Sequence, residues 1–168
     1  MGVVEVRGAQ VRVRRLWVVA LLLVVTLGLY YVVWYYRVNR ELRDYGRALA
    51  HPNPLAVDLV RTMLAVTVGG LVVVPASISV ARMFERIALA ERLTGVRERL
   101  NSQVTLAVFV AVLVVFVVLT ALWLAGVGQV VLLPLNLLAL ALLAAKLAYT
   151  QHHVNAIWRR ASAHVEAA

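Results

Sequence analysis

The chain has 168 residues and a net charge of +9 at neutral pH, and 63% of its residues are hydrophobic. It contains no cysteine, which excludes disulfides, thiolate metal sites and thiol catalysis. Three segments without a charged residue take up about half of the chain and leave no room for a separate soluble domain of ordinary size. The composition therefore predicts one membrane domain, residues 1–168.

The first charge-free segment, Leu16–Tyr36, follows a basic amino tail. The apolar core of a signal peptide is about 7–15 residues long and precedes small residues. This segment instead has 21 uncharged residues and ends in tyrosines and a tryptophan, which are typical of the interface between lipid and water. The pattern predicts an uncleaved membrane span at 16–36.

Glycine and proline inside the first two apolar segments allow a second interpretation. Gly28 follows Thr26 and Leu27 near the middle of the first segment, and the second span, predicted at 62–81, contains Gly69, Gly70 and Pro75. Each segment could form two half-helices that enter and leave on the same side of the membrane, which is a re-entrant arrangement. Because both residue types are common in ordinary spans, full crossing of both segments is the main prediction.

The charged loops that follow these two spans have helical periodicity. Apolar residues recur at helical spacing between residues 38 and 49 and again between residues 89 and 100. The pattern predicts interfacial helices at about 37–50 and 82–100, lying on lipid headgroups or packing on another helix. A solvated extension of the adjacent span, with its apolar side on the bundle, is the alternative.

The third charge-free segment runs for 46 consecutive residues, 100–145. As one helix it would be about 69 Å long, more than twice the ~30 Å hydrocarbon core. Gly126 and Gly128 mark the only local break, so we predict two spans, 104–125 and 130–149. The predicted fold is an all-α integral membrane protein with four transmembrane helices and amphipathic interfacial helices in the loops.

Arginine placement predicts the orientation and the lipid partner. Four alternating spans put twelve basic residues on the side of the two termini and five on the other side, in the first loop. This excess predicts that both termini are cytoplasmic. The arginines do not form an independent basic face, so we expect anionic lipid rather than nucleic acid as their partner. The candidate headgroup contacts are Arg12, Arg14, Arg15, Arg82, Arg86, Arg159 and Arg160.

Ionisable chemistry is scarce within the predicted spans. Lys146 lies about one turn from a span end, so its ammonium group can extend to the interface. His152 and His153 are adjacent and project about 100° apart on a helix, so they cannot both face one metal without other ligands. No hydrolase, metalloprotease or phosphate-loop motif occurs. We predict no enzymatic activity, cofactor or metal; a membrane enzyme that uses either histidine is a minor alternative.

Asn136, two residues after Pro134, is the main polar group inside a span. Proline frees a backbone carbonyl and an amide can bridge helices, so we expect a structural contact there. The alternative function is a small transporter or channel component, in which broken helices surround a polar site. That site would lie near Gly69, Gly70, Pro75, Pro134 and Asn136.

Two short motifs resemble a known family. Residues 26–30 read Thr-Leu-Gly-Leu-Tyr, and Trp34 and the sequence Asn-Arg-Glu-Leu at 39–42 follow. They resemble the bacterial domain of unknown function 4234 family, whose members are small multi-span membrane proteins. Gln151, Asn155 and Trp158 are similar to the residues that follow the last span in that family. The resemblance implies an inner-membrane protein of unassigned activity, and no catalytic residue is carried over.

The resemblance draws attention to residues at the predicted membrane borders. We expect the amides of Asn39, Gln151 and Asn155 to satisfy helix ends or each other. Direct contact between Asn39 and Asn155 would require the re-entrant arrangement. The expected function is a non-enzymatic scaffold or accessory subunit whose partners are lipid and a membrane protein or a second copy. The candidate structural or interface residues are Gly28, Tyr30, Trp34, Asn39, Asn136, Gln151 and Asn155.

Overall fold

The computed structural model describes residues 2–6, 8–49, 53–68 and 73–166. These residues are predominantly helical, which confirms the helical fold class. Only two of the helices are long and apolar enough to cross a membrane, so four spans are not supported. The elements are β1 (Gly2–Val6), β2 (Ala9–Val13), α1 (Leu16–Val25), α2 (Tyr30–Leu49), α3 (Leu59–Thr67), α4 (Val74–Thr94), α5 (Ser102–Leu124) and α6 (Gln129–Glu166).

The amino tail forms an antiparallel β-hairpin that was not predicted. Strands β1 and β2 pair in a register that sets Val6 opposite Ala9, and Gly8 lies in the turn with a φ of 84°. Val11 is buried and Arg12 is exposed, an alternation that follows from the two-residue period of a strand. The buried side packs on α2 and α6.

The predicted first span, 16–36, is divided by a sharp turn. Helix α1 ends at Val25, and Leu27 and Gly28 have φ angles of 50° and 94°. The left-handed conformation costs little for glycine, so Gly28 allows the chain to turn back. The Thr26 hydroxyl donates to the Leu22 carbonyl at 2.7 Å and accepts from the Tyr30 amide at 2.9 Å. Thr26 therefore joins the end of α1 to the start of α2.

Helix α2 does not end where the first span was expected to end. It continues through the charged residues to Leu49, so the predicted interfacial helix at 37–50 is its second half. Arg14, before α1, contacts Glu41 in α2, which makes α1 and α2 antiparallel. We call α1, α2 and their turn the first helical hairpin.

The predicted second span, 62–81, is divided between two helices, α3 and α4. Helices α3 and α4 pack against each other, and the Ser79 hydroxyl lies 3.4 Å from the Thr62 carbonyl oxygen. Gly69 and Gly70 lie outside the described residues, whereas Pro75 occupies the first turn of α4. Helix α4 continues to Thr94 and covers most of the predicted interfacial helix at 82–100. We call α3 and α4 the second helical hairpin.

Helices α5 and α6 correspond to the predicted spans 104–125 and 130–149. The Asn101 side chain accepts from the Val104 amide at 3.1 Å, which caps the start of α5. Gly126, with a φ of 87°, lies in the turn between the two helices. Helix α6 passes through Pro134 without ending and extends 17 residues beyond residue 149, to Glu166. The two long helices form an antiparallel pair.

Candidate functional site

Buried polar side chains collect where the β-hairpin, α2, α4 and the carboxyl-terminal half of α6 meet. This end of the molecule carries the charged loops, and we call it the charged end. All members are at most 7% exposed, so their hydrogen bonds have to be made within the protein. We call this group the polar cluster: Arg14, Asn39, Glu41, Glu91, Gln151, His153 and Asn155.

Arg14 and Glu41 form a buried ion pair between the amino tail and α2. Arg14 Nη1 donates to Glu41 Oε2 at 3.2 Å, and Nη2 donates to Oε1, so the pairing is bidentate. Burial raises the pKa of the Glu41 carboxyl above its ordinary value, and the adjacent Arg14 guanidinium opposes the rise. Two residues 27 positions apart in sequence are therefore held at one level of the fold.

Asn155 binds the backbone of Arg14 from α6. Its Nδ2 donates to the Arg14 carbonyl at 2.7 Å, and the Arg14 amide donates to its Oδ1 at 3.0 Å. Gln151 Nε2 also donates to Asn155 Oδ1, at 2.8 Å, and Gln151 Oε1 accepts from Trp34 Nε1 at 2.6 Å. The two amides thus connect the amino tail, α2 and α6.

Asn39 connects α2 to α4. Its Nδ2 donates to the Tyr35 carbonyl at 2.9 Å, and its Oδ1 accepts from Arg86 Nη2 at 2.7 Å. Asn39 does not bond to Gln151 or Asn155. Trp34, five residues earlier in the chain, bonds to Gln151. The family-like residues of the two ends therefore meet on one side of the fold.

Glu91 and His153 form a second buried polar pair. Glu91 Oε1 lies 2.7 Å from His153 Nδ1, and Oε2 accepts from the Leu100 amide at 2.9 Å. Sequence reasoning missed Glu91, although its spacing of four residues from buried Ile87 places it on the inner face of α4.

His152 is exposed. Among the described residues, no three His, Asp or Glu side chains form a group that could hold a metal.

Lys146 differs from its predicted placement at the interface. Its side chain is buried, and its Nζ lies 3.2 Å from the Tyr31 hydroxyl. The rings of Tyr31, Phe84 and Phe109 each have their centre 4.8 to 4.9 Å from Nζ. Cation–π contacts stabilise an ammonium group in this setting. Lys146 therefore lies inside the bundle rather than extending to its surface.

The remaining candidates lie outside the polar cluster. Gly28 is in the turn of the first helical hairpin, and buried Tyr30 begins α2. Asn136 was expected to bridge helices, but its Nδ2 donates to the Leu132 carbonyl of its own helix at 3.0 Å. Pro134 lies within a continuous α6, so it does not mark a broken helix.

The seven candidate headgroup arginines fall into two groups. Arg14 is buried in its ion pair, and Arg86 is half-buried against Asn39. Both guanidinium groups therefore make hydrogen bonds within the protein. The side chains of the other five are exposed: Arg12, Arg15, Arg82, Arg159 and Arg160.

Comparison with known proteins identifies a family. Residues 14–133 match the family model described as Domain of unknown function (DUF4234). No curated protein and no solved structure matches the chain. The matched region begins at Arg14 and includes both helical hairpins, all of α5 and the start of α6.

Proposed function

Because the chain belongs to the DUF4234 family, which it matches over residues 14–133, we propose that it is a bacterial inner-membrane protein acting as a non-enzymatic scaffold or accessory subunit. In this proposal α5 and α6 cross the bilayer. The first and second helical hairpins enter one leaflet and return to the side from which they came. The Arg14–Glu41 ion pair carries the proposal, because it holds the residues before α1 and within α2 at the same end.

The dimensions of the first helical hairpin support a re-entrant placement. Helix α1 has 10 residues and is about 15 Å long, half of the ~30 Å hydrocarbon core. The turn between α1 and α2 exposes apolar side chains: Leu27 is 80% exposed and Leu29 is 74% exposed. Hydrocarbon is the favourable surrounding for such a tip.

The distribution of charge supports the same placement. Full crossing of all four predicted spans would put the five arginines of the first loop opposite the other basic residues. Re-entry puts every arginine of the described residues on one side, while the turn between α5 and α6 at 125–128 carries no charge. The positive-inside rule then makes that side cytoplasmic.

The contacts of the polar cluster support a structural role for it. Its carboxylates, amides and guanidinium group bond mainly to one another and to backbone groups. The five exposed arginines offer contacts to anionic headgroups. The exposed apolar faces of α5 and α6 offer contacts to lipid and to the helices of a membrane-protein partner or a second copy.

Protease protection tests this proposal on the unaltered protein. Trypsin cleaves after arginine and lysine, so we expect fragments when the charged end faces the medium and full protection when it faces the vesicle interior. Inside-out and right-side-out membrane vesicles separate the two cases. Cleavage after Arg47 or Arg61 from one side and after Arg97 or Arg99 from the other would contradict re-entry. Turnover of a substrate by the purified protein in lipid would contradict the scaffold assignment.

A further inference from the structure

The described residues of the two helical hairpins extend to the same depth along α5 and α6. A cavity of about 250 Å³ is bordered by Leu27 and Gly28 of the first hairpin and by Val66 and Ala76 of the second. Its other walls are the middle of α5, residues 109–116, and Leu143 of α6. Both hairpins therefore reach the level of Leu143.

This level divides the part of α6 between Gln129 and Asn155 nearly in half. Asn155 contacts Arg14 at the base of the first hairpin, and 12 residues of helix, about 18 Å, separate Asn155 from Leu143. From Leu143 to the start of α6 at Gln129 there are 14 more residues, about 21 Å. The described residues of the hairpins thus surround only the charged-side half of the α5–α6 pair.

On the side of Leu143 away from the charged end, α5 and α6 contact each other and few other residues. Trp123 is 53% exposed and Val130 is 86% exposed, and most side chains between them are also exposed. A second cavity, of about 380 Å³, lies in this half, and among the described residues of the hairpins Leu27 borders it. The protein is therefore much narrower on this side of Leu143.

We infer that the molecule is a wedge in the bilayer and prefers membranes in which the leaflet on its charged side is convex. The inference rests on the proposed function, which places six helices in the charged-side leaflet and two in the other. With helices of similar diameter, about 10 Å, the two cross-sections differ about three-fold. Convex curvature expands the leaflet that holds the wide end and lowers the packing cost of the wedge.

Outward tubes pulled from giant phosphatidylcholine vesicles test this inference, because the outer leaflet of such a tube is convex. The lipid is zwitterionic, so attraction of arginines to anionic lipid does not contribute. The chain has no native cysteine, so Arg92→Cys and Gln129→Cys each give one label site. A membrane-impermeant fluorescent maleimide then marks molecules with the charged end outside in Arg92→Cys and inside in Gln129→Cys.

The two label sites are expected to give opposite results. Labelled Arg92→Cys molecules should have a tube-to-vesicle density ratio above one, and labelled Gln129→Cys molecules a ratio below one. Equal ratios at the two sites, or enrichment of labelled Gln129→Cys, would overturn the wedge. Failure of the re-entrant placement is detected separately, as trypsin cleavage from both sides of the membrane.

Discussion

Replacing Arg14 with methionine is expected to lower the free energy of unfolding by about 3–5 kcal/mol, because it leaves the Glu41 carboxylate buried without a counter-charge. Arg14 is 3% exposed and Glu41 is 7% exposed, so water cannot replace the lost guanidinium. Unfolding in mixed micelles of a mild detergent and dodecyl sulfate measures the change. The matched control is Arg15→Met, an exposed site next to Arg14, at which we expect a change within about 0.5 kcal/mol.

The double variant Arg14→Met with Glu41→Leu should recover most of this loss, because it removes the buried charge together with its partner. If the first apolar segment crossed the bilayer fully, Arg14 and Glu41 would lie on opposite faces of the membrane. The losses in unfolding free energy caused by the two substitutions would then add. An additive double variant would therefore contradict the ion pair.

The loss in Arg14→Met should also depend on pH. Burial raises the pKa of Glu41, and the substitution removes Arg14, the largest influence that opposes that rise. The folded state then binds the proton more tightly than the unfolded state. The loss of unfolding free energy in Arg14→Met therefore has its full size at pH values above the raised folded-state pKa of Glu41. It disappears as the pH falls below the ordinary carboxyl pKa. A deficit that stays constant on acidification would show that Glu41 is not its source.

Asn155→Leu is expected to lower the free energy of unfolding by about 3 kcal/mol or more, since each buried polar group left unpaired costs about 1–3 kcal/mol. The substitution removes the partner of the Arg14 amide, of the Arg14 carbonyl and of Gln151 Nε2. The same detergent titration measures the change.

Asn136→Leu is the matched control for Asn155→Leu, because it makes the same substitution in the same helix. Its amide donates only within α6, so we expect a change below about 1 kcal/mol. Equal losses at the two sites would show that the bridge from α6 to the amino tail contributes nothing.

The long charge-free segment was the part of the fold that could be predicted. Its length exceeds twice a bilayer core, and Gly126 has the positive φ that the predicted turn requires. Both helices follow from hydropathy and one glycine, which are local properties of the chain. The burial of Lys146 was missed because the surrounding aromatic rings come from three other helices.

The first two apolar segments could not be interpreted from hydropathy alone. A 21-residue apolar segment fits one span and two half-helices equally well by length. Gly28 allowed both interpretations, and tertiary contacts far along the chain select the turn. The β-hairpin did leave a local signal, since Val11 and Val13 alternate with Arg12 and Arg14 before α1.

The candidate site was predicted residue by residue but not as an arrangement. Trp34, Gln151 and Asn155 were selected for their place at the membrane borders, and they do bond to one another. Glu41 and Glu91 were overlooked because a charged side chain on a helix is usually solvated. Only the packing of α2 and α4 against α6 shows that both carboxylates are buried.

Labelling of single cysteines tests the one-sided placement most directly. All three sites are exposed: Arg47 lies in the last turn of α2, Arg92 in the last turn of α4 and Gln129 at the start of α6. In sealed vesicles of one orientation, we expect an impermeant maleimide to label Arg47→Cys and Arg92→Cys together and to leave Gln129→Cys unlabelled, with the reverse result in the opposite orientation. Labelling of Arg47→Cys together with Gln129→Cys, and not with Arg92→Cys, would contradict it.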